Sequence, residues 1–175
     1  MQINVSQLLK APIGSTRNYE ENEVIDITGD GKGSKVQGKV KLTRTNRSVL
    51  VKSILHTEVE ATCSRCLSLF GCPLNLTFEE EYFPTVDIAG GIPQLLPNEP
   101  GYFTIDEHHI LDLTEAIRQY AMLAIPMKLL CQASCAGLCP SCGHNLNQGL
   151  CHCLPQGTEP RWSELSKLTL ANDNR

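Results

Sequence analysis

The chain has 175 residues, 41% of them hydrophobic, and a formal net charge of −4. That length suits one domain, or one domain with a small metal module, and the apolar share allows a core without covalent staples. The mild acidity argues against a general nucleic-acid binder. The opening MQINVSQLLKAP shows no charged start followed by an apolar run, and no stretch approaches the roughly 18 apolar residues of a membrane span. The expected compartment is the cytoplasm, with no membrane partner.

In chain order, Val5 to Leu9 suggests a short helix. Val36, Gly38, Val40 and Leu42 alternate with Gln37, Lys39 and Lys41, the period of a half-buried strand. Thr43 to Asn46 reads as a turn. Val49 to Ala61, rich in Val, Ile and Thr, reads as a long second strand. Cys63 to Gly71 reads as a corner. Pro73 to Tyr82 reads as a third strand, with Leu74, Leu76, Phe78 and Tyr82 on one face and Glu79 and Glu81 on the other. Short links between them predict an antiparallel meander. Prolines and glycines between Pro84 and Gly101 predict a long irregular loop, functional or mobile.

The clearest helix runs from Asp112 to Ile125. Asp112 and Glu115 suggest a capping box. Leu113, Ala116, Ile117, Tyr120, Ala121 and Ala124 share one face, and Pro126 stops the helix. A last short helix is predicted from Pro160, with Trp162, Leu165 and Leu168 on one side. The expected fold class is α+β. It comprises an antiparallel β meander or partly closed barrel with one main helix and a C-terminal zinc-binding tail. The expected division is a β-rich domain over 1–130 and a cysteine-rich module with a short C-terminal helix over 131–175.

Nine cysteines are present, and eight form close pairs: Cys63/Cys66, Cys131/Cys135, Cys139/Cys142 and Cys151/Cys153. An odd count, C-x-x-C spacing and no visible export signal favour metal over disulfides. Four thiolates close one tetrahedral zinc site, so eight predict two zinc ions without an open coordination position. Cys139-Pro-Ser-Cys142-Gly-His carries the strongest local signal, and Cys151 and Cys153 follow just downstream. Cys63 and Cys66 are then expected to share a metal with Cys131 and Cys135. A different pairing among Cys131, Cys135, Cys139 and Cys142 competes. An iron–sulfur cluster could use the same thiolates, and His144 or His152 could replace one of the late sulfurs. Cys72 reads as a core thiol.

Gly31 to Lys52 contains seven basic residues and no acid, whereas Gly71 to Ile125 contains nine acids and one base. Lys39, Lys41, Arg44 and Arg47 are candidate phosphate contacts, as is Arg65 inside the first cysteine pair. Lys39 and Lys41 equally suit the solvated side of a strand. No Gly-rich phosphate loop, H-E-x-x-H or G-x-S-x-G motif occurs. The adjacent His108 and His109 make a poor paired ligand. No catalytic residue and no small-molecule substrate are expected.

The order C-S-R-C-L, then A-I-P-M-K-L-L-C, then C-A-G-L-C-P-S-C-G-H-N-L-N and C-H-C resembles the bacterial YceD family. P-R-W-S-E-L-S-K-L at the end fits it as well. The resemblance implies a role in accumulation of large-subunit ribosomal RNA and carries over no catalytic residue. It leads to the expectation of a non-catalytic zinc-binding factor in ribosome biogenesis. Such a factor would support accumulation or processing of that RNA by binding ribosomal RNA or a pre-ribosomal particle. The alternative is a protein-interaction adaptor whose acidic segment contacts a basic ribosomal protein.

Overall fold

A computed structural model describes residues 1–29, 31–87, 92–93 and 101–153. The elements are β1 (Gln2–Asn4), α1 (Ser6–Lys10), β2 (Thr16–Asp26), β3 (Gly33–Arg44), β4 (Val49–Thr62), β5 (Leu69–Pro84), β6 (Phe103–Ile105), β7 (Ile110–Asp112) and α2 (Thr114–Ala124). The seven strands form one sheet in the order β1-β7-β6-β5-β4-β3-β2, a curled half-barrel.

Long alternation builds the centre of this sheet. In β4, Val49, Val51, Leu55 and Val59 are buried, while Lys52, Ile54, His56, Glu58 and Glu60 face outward. β3 and β5 follow the same parity, and their antiparallel registers set Lys41 beside Lys52 and Lys52 beside Glu79. A one-residue slip would turn every apolar side chain to water, so the pattern specifies the register. Cys72 is buried in the core, as a small apolar thiol.

α2 packs its Ala116, Ile117 and Ala121 face into this core. Phe78 of β5 and Tyr120 of α2 stack with centroids 4.6 Å apart, and the Tyr120 hydroxyl donates to Glu80 at 2.5 Å. The helix begins after Leu113 rather than Asp112. Asp112 still serves its first turn, accepting the Thr114 N–H at 2.8 Å. Ile125 is extended, as a residue before proline prefers.

The expected α+β meander with one main helix needs correction on three points. The sheet is mixed, because β5 and β6 pair in parallel. It has seven strands, and α2 is not the only helix among the described residues: α1 meets the short helix expected over Val5 to Leu9. β2 escaped the pattern because it is an edge strand with most side chains exposed on both faces; its backbone pairing with β3 holds it. β1, β6 and β7 are too short for a period to show. Within the Pro84–Gly101 loop, Val86 and Pro93 form an isolated bridge. Residues 88–91 and 94–100, and the helix expected from Pro160, lie outside the described residues. No described helix is long and apolar enough to cross a membrane.

Candidate metal centres

The turn between β4 and β5 carries Cys63 and Cys66. Its backbone is closed by Cys63 N–H donating to Ser68 O at 2.9 Å and Leu67 N–H to Cys63 O at 3.0 Å. After α2, Pro126 sends the chain back toward this turn, where Ser64 N–H donates to Leu129 O at 2.8 Å. That contact delivers Cys131 and Cys135. Cys63 Sγ lies 3.8 Å from Cys135 Sγ, and Cys66 Sγ lies 3.6 Å from Cys131 Sγ. A tetrahedron with zinc–sulfur bonds of about 2.3 Å has edges of about 3.8 Å. The four sulfurs therefore fit one ion.

Cys139, Cys142, Cys151 and Cys153 form a second group. In each group all ligand atoms lie within 4.8 Å of one another. His144 and His152 are not members of either group. The first centre is largely buried, whereas Cys142 is exposed and Cys151 half-buried in the second.

Backbone amides prepare both centres for thiolates. The Cys66 amide, then that of Cys131, holds Cys63 down to about 6. The Ser68 amide and hydroxyl lower Cys66. In the second turn the Cys142 and Ser141 amides hold Cys139 down to about 6. Loss of hydration, then the Cys66 thiol, pushes Cys131 up to about 12. The Cys142 thiol does the same to Cys153. Four uncompensated thiolates cannot share so small a volume, so a cation is what would let all four ionise.

Residues that the spacing did not single out tie the two centres together. Gly137 has φ +80, and a β-carbon there would stand 3.3 Å from the Arg65 carbonyl. A glycine thus lets the late module lie against the first turn. Asn145 and Asn147 also reach the first centre. The only sequence signal for them was their place in G-H-N-L-N.

The candidate phosphate contacts do not form one surface. Lys39 and Lys41 share the outer face of β3. Lys39 lies 3.8 Å from Glu20, and neighbouring Lys52 pairs with Glu79 at 2.8 Å. Arg44 does not join them: at the end of β3 it has the parity of buried Val40 and Leu42, is half-buried, and its guanidinium donates to the Ala11 carbonyl after α1. Arg47 is exposed in the turn before β4. Arg65 is exposed on the first cysteine turn. Lys52 and the Thr62 end of β4 are ten residues apart, about 33 Å along a strand, so Arg65 is remote from the lysines.

The family model described as "Large ribosomal RNA subunit accumulation protein YceD" matches residues 51–169. That span contains all but the first two residues of β4, then β5, α2 and both cysteine groups. Among curated proteins, "Large ribosomal RNA subunit accumulation protein YCED homolog 1, chloroplastic" of Arabidopsis thaliana is 24% identical over 164 residues, covering 82% of this chain and 51% of that protein. The chain thus spans about half the length of that relative. No solved structure matches the chain.

Proposed function

This chain belongs to the YceD family, and from that premise we propose that it is a non-catalytic zinc protein supporting accumulation of large-subunit ribosomal RNA. The observation that carries the metal reading is the convergence of eight thiols into two four-sulfur groups. Zinc is the proposed ion because an all-thiolate tetrahedron suits it. Four protein ligands leave no open position for water or substrate, which favours structural over catalytic metal. The proposed compartment is the cytoplasm, where thiols stay reduced.

The proposed partner is ribosomal RNA or a pre-ribosomal particle, met by Lys39 and Lys41 on the outer face and by Arg47 in the adjoining turn. Lys41 supports this reading, since it is exposed and has no ion-pair partner among the described residues. A second reading rests on the same face: Glu58, Glu60, Glu79 and Glu81 are all exposed along β4 and β5. These acids would suit a basic ribosomal protein.

The test is recovery of the full chain from growing cells without chelator. Two zinc ions per chain and co-purifying large-subunit RNA are expected. Protein-only partners surviving nuclease treatment would move the proposal to the acidic face. Disulfides in place of metal would overturn it.

A further inference from the structure

The segment between Cys142 and Cys151 carries two asparagines that serve the other centre. Asn147 Nδ2 lies 3.3 Å from Cys135 Sγ. The amide orientation follows from its donors: Asn147 Oδ1 accepts the Ala136 N–H at 2.8 Å and Gln132 Nε2 at 3.3 Å. Nδ2 is therefore the edge left for the sulfur and for Asn145 Oδ1, 2.8 Å away. Asn145 is oriented the same way. Its Oδ1 accepts the Asn147 N–H at 3.0 Å, so its Nδ2 donates to Ser68 Oγ at 3.0 Å. Ser68 belongs to the first cysteine turn: it stands two residues after Cys66, and its carbonyl accepts the Cys63 N–H at 2.9 Å. One of the four sulfurs at the buried centre, and the turn that carries two others, thus receive hydrogen bonds that originate between two ligands of the outer centre.

We infer that Asn145 and Asn147 are positioning residues for the Cys63/Cys66/Cys131/Cys135 centre, and that metal at Cys139/Cys142/Cys151/Cys153 tightens metal binding there. The inference rests on the metal reading proposed above. An ion at the outer centre anchors both ends of residues 143–150. Further bonds guide that segment: Cys139 N–H to His144 O at 2.8 Å and Leu146 N–H to Gly137 O at 2.9 Å. With its ends held, the segment loses less freedom in presenting the asparagines. Hydrogen bonds from beyond the ligands orient thiolates and tune their donor strength; losing one weakens metal affinity by about 10- to 100-fold. Linkage makes the coupling reciprocal.

The test is titration of the metal-free full chain with cadmium against a chromophoric chelator, with cadmium-113 NMR distinguishing the two centres. In a Cys151→Ser/Cys153→Ser variant, affinity at the buried centre should fall at least about tenfold. Asn147→Leu should produce a similar fall while its outer centre still takes metal. Combining all three substitutions should lose little more than the cysteine variant alone, because both act through one contact. Should Asn147→Leu fail to fold, Asn147→Ser removes the same donor from an exposed position. Wild-type affinity at the buried centre in the cysteine and asparagine variants overturns the inference while leaving the metal reading intact. A wild-type chain that takes up neither cadmium nor zinc removes both.

Discussion

Leu67 and Gly143 occupy equivalent positions in the two cysteine turns. Each follows the second cysteine of a C-x-x-C pair, at φ 57 and 72 respectively. Each donates its N–H to the carbonyl of the first cysteine, at 3.0 Å from Leu67 to Cys63 and 2.9 Å from Gly143 to Cys139. One turn uses the residue suited to left-handed backbone, and the other bears a β-carbon there. Leu67 is 64% exposed, so packing offsets little of that strain.

Leu67→Gly is therefore expected to stabilise the metal-loaded chain by about 1 kcal/mol, and Gly143→Ala to destabilise it by a similar amount. Denaturant unfolding of both variants checks this. A Leu67→Gly protein less stable than the parent would mean that the side chain contributes contacts worth more than the strain.

Metal uptake should release protons. At about pH 7.5 Cys131 and Cys153, both raised to about 12, begin protonated, so each centre sheds at least one proton on closing. Cys63 and Cys139, held near 6 against an ordinary 9.0, are already thiolates. As pH falls through about 6 these two take protons as well, and affinity should drop more steeply. Their depressed values stabilise the fold above the ordinary thiol range, and that contribution is lost as pH falls through about 6. Calorimetry in buffers of different ionisation enthalpy reads the proton count; a buffer-independent heat would contradict the assignment.

Cys63→Ser removes a ligand from the buried centre, where Cys63 is 0% exposed. Losing the ion that links the β4–β5 corner to the chain after α2 should cost more than about 4 kcal/mol. Elemental analysis should show one ion fewer, and thermal unfolding should shift down. An unchanged melting temperature would mean that the site adds nothing to folding.

Lys39→Glu/Lys41→Glu should fold normally and lose association with RNA, because both side chains stand in water. Each phosphate contact contributes about −0.7 to the log–log salt slope for single strands, so the parent should weaken as salt rises. Arg44→Ala should act differently: it breaks the bond to Ala11 and should lower stability by about 1–3 kcal/mol. Normal ribosomal association of the folded double lysine variant would shift attention to Glu79 and Glu81.

Tyr82 is 1% exposed and stacks on Phe103 at 5.1 Å, yet its hydroxyl has no partner among the described residues. Removing a buried, unpaired hydroxyl relieves a desolvation penalty of about 1–3 kcal/mol. Tyr82→Phe should thus raise the melting temperature. A fall would point to an ordered water held by that hydroxyl.

Alternation over Val36–Leu42, Val49–Ala61 and Pro73–Tyr82 determined the three long strands, since burial of one face leaves a register no alternative. Helical spacing from Leu113 to Ala124 determined the packed face of α2, and Pro126 its end. Cysteine spacing likewise determined which sulfurs share a turn, because that geometry is local. Local chemistry could not show β2, whose mostly exposed edge is held through backbone bonds to β3. Nor did it separate Arg44 from Lys39 and Lys41, because Thr43 to Asn46 read as a turn, whereas β3 runs on to Arg44 and its side chain binds the end of α1. Which cysteine turns meet was decided by Leu129 docking on Ser64, a contact set by where α2 ends against the sheet. Asn145 and Asn147 acquired their place for the same reason: their partners, Ser68 and Cys135, are 77 and 12 residues away in sequence. Side-chain donors find such partners only after the chain has closed.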